Sequence, residues 1–245
     1  MVTNTDIEDV DLHGKVVAIT GGARGIGLAT ATAFARRGAL VAIGDLDAAG
    51  ARLAAEGIGR NAIGLALDVT DRASFESFLN DVEHRLGSLD VMVNNAGIQH
   101  VGLFGQESDA ATDIQVAVNL GGVLTGTKLA LARMGPRGRG HIVNLASVAG
   151  KMASPGGATY SATKHAVVGL SEPLRGSCVA AALPSASSCR QSSQPRWLTG
   201  LARRVGCARS SRLLWAKPLF VRCDADAVQM CTCPGIPAQS TPRCR

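Results

Sequence analysis

Lys15-Val16-Val17-Ala18-Ile19-Thr20-Gly21-Gly22-Ala23-Arg24-Gly25-Ile26-Gly27 is the stretch from which the rest of the chain can be read. Its first six residues form a short apolar run rich in β-branched side chains, the pattern of a parallel strand buried on both faces. The glycine-rich stretch follows at once, and Leu28 to Arg37 then shows a helical pattern. Strand, glycine loop and helix in direct succession give the loop a chemistry. Glycines permit a tight turn and let a pyrophosphate approach the amide-lined start of a helix. The spacing is G-x-x-x-G-x-G rather than the commoner G-x-G-x-x-G. Gly21, Ala23, Arg24, Gly25, Ile26 and Gly27 are therefore candidate dinucleotide ligands, against the plainer reading of an ordinary loop.

Ala39-Leu40-Val41-Ala42-Ile43-Gly44 reads as a second strand ending in Asp45. A carboxylate about 20 residues past such a loop accepts hydrogen bonds from ribose hydroxyls. It would also repel a 2′-phosphate, which favours NAD over NADP; Arg24 pulls the other way. The alternative is a helix cap, by Asp45 or Asp47, for a helix over residues 48–56. Residues 61–67 form a third strand closed by Asp68-Val69, and Thr70 or Asp71 caps a helix running to Leu86. Residues 88–93 form a fourth strand ending in Asn94-Asn95-Ala96-Gly97. Asp68 can reach an adenine edge, and Asn95, Ala96 and Gly97 can line a cleft at the strand's carboxyl end. Asp and Asn are also ordinary turn formers. Residues 98–111 read as a loop, and a long helix over residues 111–134 holds Asn119. A turn at 136–140 leads to a fifth strand over 141–146. Ser147 stands just past its carboxyl end, where active-site residues of open α/β sheets collect.

Tyr160-Ser161-Ala162-Thr163-Lys164 carries the second signal. On a helix, positions four apart share a face, so the phenol of Tyr160 and the ammonium of Lys164 point to one place. A neighbouring cation favours the phenolate and lowers the phenol's pKa from its usual ~10. That makes a general acid/base from a weak acid. Taken alone, the pair fits a solvated helix face equally well.

The chain has 245 residues and is 46% apolar, enough for one large α/β domain with a substantial core. No uninterrupted apolar run reaches about 18 residues, so no membrane span is expected. The acidic start carries no secretory pattern, so a cytoplasmic protein is the expectation. Charge and cysteines are unevenly placed. Residues 1–176 carry a net charge of −2 and residues 177–245 one of +8. All seven cysteines lie after residue 176. The basic balance belongs to the tail and does not make the whole chain a nucleic-acid binder. His141 and His165 fall outside the site pattern and read as structural.

Taken together, the residues from Thr20 to Gly27, Asp68-Val69, Asn94 to Gly97, Asn119, Ser147 and Tyr160 to Lys164 resemble the short-chain dehydrogenase/reductase family, in its order and roughly its spacing. The resemblance covers about residues 12–176. It implies a doubly wound parallel sheet of Rossmann type and a nicotinamide dinucleotide. It makes Tyr160 the general acid/base and Lys164 both the pKa-lowering cation and the holder of the nicotinamide ribose. Ser147 would donate to the substrate oxygen, and Asn119 would order a water that links Lys164 to solvent. The implied reaction is reversible hydride transfer with an alcohol or carbonyl substrate, and Asp45 matches the NAD-preferring branch. A homo-oligomer is compatible with the family.

The resemblance ends at Gly176, which divides the chain into a dehydrogenase core (1–176) and an aberrant basic tail rich in Cys, Ser and Arg (177–245). The family's last strands and its substrate-covering helix are not legible there. A linker or poorly ordered segment is one reading. Metal binding at Cys231-Thr232-Cys233 is another, but the tail has no C-x-x-C and no histidine to complete a site, so no metal is expected. A third is a shifted reading frame. A TCN serine codon read one base earlier becomes NTC, which encodes Leu, Ile, Val or Phe, so Ser185-Ala186-Ser187-Ser188-Cys189 would become an apolar strand. One base lost in the codon for Gly176 would suffice. On any of these readings the outer sheet edge is left open, and instability or loss of activity is expected. The competing function is then a nucleotide-binding protein with little turnover; a tail that binds an anionic partner is a third possibility.

Overall fold

The computed structural model describes residues 12–152, 155–181, 220–224 and 228–231. Five parallel strands form its centre: β1 (Val16–Thr20), β2 (Leu40–Asp45), β3 (Ala62–Ala66), β4 (Leu89–Asn94) and β5 (His141–Leu145). They lie in the order β3-β2-β1-β4-β5. The helices are α1 (Gly25–Ala35), α2 (Ala48–Ile58), α3 (Arg72–Leu86), α4 (Asp109–Val116), α5 (Gly122–Met134) and α6 (Ala158–Ala181). This is a Rossmann-like α/β fold.

The sheet is apolar on both faces because successive strand residues point to opposite sides. In β1, Val16 and Ala18 face one core with Phe75, Phe78, Leu79, Met92, Val123, Leu129 and Ile142. Val17 and Ile19 face the other core with Phe34, Val41, Ile43, Val91, Val93 and Val143. All five residues of β1 are buried, as its near-continuous apolar run requires. Phe75 and Phe78 meet edge to face, with centroids 6.4 Å apart.

Helix starts follow local chemistry. Asp47 caps α2 by accepting from the Gly50 N–H at 2.9 Å, and Asp71 caps α3 by accepting from the Ala73 N–H at 2.9 Å. Asp45 is therefore not the cap. α1 begins at Gly25, three residues before the position expected from its apolar pattern, so the end of the glycine loop is its first turn.

Two differences from the sequence reading concern the middle of the chain. The loop over 98–111 contains a short 3-10 turn, Phe104–Gln106, and α4 already starts at Asp109, capped by Ser108. The long helix expected over 111–134 is broken into α4 and α5 by a π-turn, Ala117–Gly121, that contains Asn119. Wide turns of this kind insert a residue and turn the neighbouring side chains, a change that apolar spacing does not reveal. The run Asp109–Arg137 is long and apolar enough to cross a membrane by length and composition. Here Val123, Leu129, Ala130 and Met134 of that run are buried in the core.

After β5 the sheet changes sense. β6 (Phe220–Asp224) pairs antiparallel with β5, and β7 (Val228–Cys231) pairs antiparallel with β6. The expected open edge at β5 is corrected, because β6 occupies it. Main-chain pairing needs only an extended backbone at a strand edge, not an apolar pattern. The expectations of a linker, a metal site or a shifted frame rest mainly on residues 182–219 and 232–245, which lie outside the described residues.

Candidate functional site

The strand order reverses between β1 and β4, and a cleft of about 500 Å³ opens at the carboxyl ends of these strands and β5. Ligands of open α/β sheets sit at such a switch point. Of the residues singled out from sequence, Gly21, Arg24, Ile26, Gly27, Asp45, Asp68, Val69, Asn95, Ala96, Gly97, Ser147, Tyr160 and Lys164 line it. Ala23, Gly25 and Asn119 do not.

The glycine loop is shaped for close approach. Gly21 and Gly25 adopt φ of +64° and +59°, a region that favours glycine. A methyl group on Gly27 would lie 2.2 Å from the Gly21 carbonyl oxygen and 2.6 Å from Asn95 Nδ2. Arg24 occupies the N-cap of α1 without a side-chain cap, and no acidic residue stands in the first turn. The first N–H groups of α1 therefore keep their capacity for an anion. Asp45 Oδ2 accepts from the Ala23 N–H at 3.0 Å and its Oδ1 from the Asp47 N–H at 3.2 Å. The carboxylate thus steadies the loop while lining the cleft. This cradle, these amides and the rim carboxylate fit a dinucleotide.

Asn95 lines the cleft, but its Nδ2 donates to the carbonyls of Thr20 and Gly21 at 2.8 and 2.9 Å, which ties the end of β4 to the loop after β1. Thr20, not singled out from sequence, completes this link: its hydroxyl accepts from the N–H groups of Asn95 and Ala96, each at 3.0 Å. Asp68 Oδ1 closes a turn by accepting from Thr70 N–H and Oγ1 at 2.8 and 2.6 Å, so its turn-forming and cleft-lining positions coincide.

On the far wall, Ser147 follows β5 and its Oγ accepts from the Ala149 N–H at 3.2 Å. Its side chain also hydrogen-bonds the Tyr160 phenol. Lys164 is 3% exposed, and its Nζ donates to the Leu145 carbonyl at 2.8 Å and lies 5.7 Å from the Tyr160 ring centroid. Helical spacing does bring both side chains to one wall. The expected lowering of the phenol's pKa is not what the geometry yields. Burial pushes Tyr160 above its usual value, and the Ser147 hydrogen bond offsets this only partly. Burial likewise lowers Lys164 to about 8. The ammonium is held by the Leu145 carbonyl, and burial is the larger influence on the phenol.

Asn119 is fully buried behind the cleft wall. Its Oδ1 accepts from the Ile98 N–H at 2.8 Å, and its Nδ2 donates to the Ile98 carbonyl at 2.8 Å and Thr163 Oγ1 at 3.2 Å. Thr163 Oγ1 in turn donates to the Tyr160 carbonyl at 2.8 Å. A methyl group on Gly97 would lie 3.2 Å from Asn119 Oδ1 and 3.5 Å from Lys164 Nζ. Thr163 sits inside the Tyr160–Lys164 motif and could have been marked as inward-facing by its spacing. The Leu145 and Ile98 carbonyls leave no trace in side-chain chemistry.

The chain resembles several known proteins. It is 41% identical over 159 residues to a 2,5-dichloro-2,5-cyclohexadiene-1,4-diol dehydrogenase of Sphingobium indicum, covering 64% of each chain. It is 43% identical over 166 residues to a 2-(S)-hydroxypropyl-CoM dehydrogenase of Xanthobacter autotrophicus, covering 66% of this chain and 65% of that one. It is 36% identical over 165 residues to a 3-oxoacyl-[acyl-carrier-protein] reductase of Escherichia coli, covering 67% and 68%. The chain therefore spans about two thirds of the length of these relatives, 64% of the first. The family model for short chain dehydrogenases matches residues 15–179. That match runs from β1 through most of α6 and takes in every strand and loop that builds the cleft, so the chain belongs to the short-chain dehydrogenase family.

Proposed function

We propose that this chain is a nicotinamide-dependent oxidoreductase that interconverts a secondary alcohol and its carbonyl compound. The observation that carries this reading is the convergence of Ser147, Tyr160 and Lys164 on one wall of a cleft whose other end is the glycine loop. Gly21 to Gly27 and Asp45 would hold the dinucleotide, with Asp68 and Val69 beside the adenine and Asn95 to Gly97 along its length. Asp45 favours NAD over NADP, because a carboxylate accepts from ribose hydroxyls and opposes a 2′-phosphate. When bound, the nicotinamide supplies the hydride acceptor for the alcohol, or the hydride donor for the carbonyl.

The chain's own groups move the proton. In reduction, the neutral phenol of Tyr160 donates its proton to the substrate oxygen; in oxidation, the phenolate takes the proton of the hydroxyl. Ser147 donates to the same oxygen and stabilises the charge that develops there. Lys164 places a cation beside this exchange below its pKa and would hold the nicotinamide ribose. Asn119, through Ile98 and Thr163, holds the wall behind Tyr160 and Lys164, and a water ordered at this position would carry the proton onward.

A second reading is a nucleotide-binding protein with little turnover. Two observations favour it: the family match ends at residue 179, and the sheet turns antiparallel after β5. Incubation with NAD or NADP and a panel of secondary alcohols, followed by the absorbance of the reduced nicotinamide, separates the two. Absorbance growth with NAD supports the oxidoreductase. Dinucleotide binding without turnover in either direction supports the second reading.

A further inference from the structure

Beside the cleft lies a polar cluster that the roles above do not use. Gln115 on α4 is fully buried. Its side-chain amide donates to Glu107 Oε1, and its Oε1 accepts from the His100 N–H at 3.1 Å. The other Glu107 oxygen, Oε2, accepts from Thr159 Oγ1 at 2.9 Å. Thr159 is 6% exposed, lies in the first turn of α6, and immediately precedes Tyr160. One carboxylate therefore joins the loop after β4 to the start of the helix that bears the phenol, and through Gln115 it also fixes the backbone at His100.

Asn119 holds this loop at Ile98; beyond His100, few other ties hold it among the described residues. Val101, Leu103 and Phe104 are 75%, 67% and 66% exposed, so they anchor nothing in the core. A second tie is the Gly102 N–H, which donates to the Gly156 carbonyl at 2.9 Å in the segment leading to α6. Both ties run to residues flanking the start of α6. Hydrogen bonds to a carboxylate are about twice as strong as neutral ones, and losing one partner leaves the others buried and unmatched.

We propose that Glu107 is a positioning residue of the oxidoreductase site: its carboxylate fastens the loop after β4 to Thr159 and so sets the wall against which the Tyr160 phenol stands. This rests on the function proposed above, but its test does not need turnover. Tyr160 is the only tyrosine in the chain, so the ultraviolet absorbance of phenolate reports this residue alone as pH is raised.

The titration is run on the full chain and on its Glu107→Ala, Thr159→Val and Thr159→Ser variants. Releasing the loop lets water reach the phenol. Glu107→Ala and Thr159→Val are therefore expected to bring the midpoint down towards that of free tyrosine. Thr159→Ser keeps the hydroxyl and is expected to keep the native midpoint. In turnover, Thr159→Val is expected to lose up to about 10²-fold in kcat/KM, the scale of a displaced reacting group, and Thr159→Ser to recover most of it. Native midpoints in folded Glu107→Ala and Thr159→Val overturn the proposal. If either fails to melt cooperatively, Thr159→Ala, which removes the hydroxyl and adds no bulk, takes its place; a native midpoint there overturns it equally. A lowered midpoint in a chain that turns nothing over would sink the oxidoreductase reading and leave the clamp standing.

Discussion

Lys164 Nζ donates to the Leu145 carbonyl at 2.8 Å and stands 5.7 Å from the centroid of the Tyr160 ring. The ammonium is thus spent first on the end of β5 and only then on the phenol. Its burial has a cost that depends on pH. The folded pKa is about 8, below the 10.5 of the exposed group. Below pH 8 both folded and unfolded chains hold this proton, and the penalty of burying the charge is full. Between 8 and 10.5 the unfolded chain binds more protons, so stability rises with pH. Lys164→Met removes this dependence. Denaturant melts at pH 8 and pH 10 are expected to show a rise on the order of 2 kcal/mol in the native chain relative to the variant. Parallel curves for the two would contradict the buried, depressed lysine.

The phenol behaves in the opposite sense. Its raised pKa keeps Tyr160 neutral at pH 7, ready to donate but not to accept a proton. Carbonyl reduction is therefore expected to be flat near neutrality and to fall at high pH, while alcohol oxidation climbs as the phenolate forms. Ser147→Ala removes the one contact that lowers the phenol's pKa. It should push the midpoint further up and reduce turnover by roughly 10²-fold, as loss of a charge-stabilising donor does. An unchanged or lowered midpoint in Ser147→Ala would contradict that hydrogen bond.

Asp45 has two jobs that a neutral substitute separates. Asp45→Asn keeps the side chain's size but loses the charge that would meet a ribose and the second acceptor that steadies Ala23 and Asp47. NAD binding is expected to weaken by about tenfold, the effect of losing a charged hydrogen bond, while NADP binding holds or improves. Melting temperature against dinucleotide concentration measures both. Equal weakening for the two dinucleotides would assign Asp45 to the loop alone.

Gly27→Ala places a methyl group 2.2 Å from the Gly21 carbonyl oxygen, on backbone that has no room to move. The loop must open, and the contacts of Asn95 with Thr20 and Gly21 go with it. Loss of NAD binding with a cost of about 1–3 kcal/mol in stability is expected. Retained binding would mean that the loop is not the pyrophosphate site.

The parallel core was legible because it is local. Val16 to Thr20 and Val41 to Gly44 are apolar on both sides, and the caps Asp47 and Asp71 sit where the helices begin. Thirteen residues predicted for the site line the cleft, because strand ends and glycine loops have fixed places in such a sheet. What stayed hidden depends on contacts between distant segments. The amides of Asn94 and Asn144 bond one another at 2.8 Å across β4 and β5, and Asn144 continues to Ser171 at 3.1 Å. Either residue read alone is an Asn in a strand. The π-turn at Asn119 and the Glu107–Thr159 bridge belong to the same class. The raised pKa of Tyr160 was missed for a related reason: spacing places a lysine nearby but says nothing of how deeply both are buried.

The proposed role of Tyr160 is to move the proton of a hydride-transfer reaction. It is tested most directly by comparing the native chain with Tyr160→Phe, using NAD, a panel of secondary alcohols and the absorbance of reduced nicotinamide. Both chains are expected to bind NAD with a similar rise in melting temperature, and the variant to lose roughly 10²–10⁴-fold in turnover, the range that general acid/base catalysis supplies. Equal turnover by the two chains would contradict it.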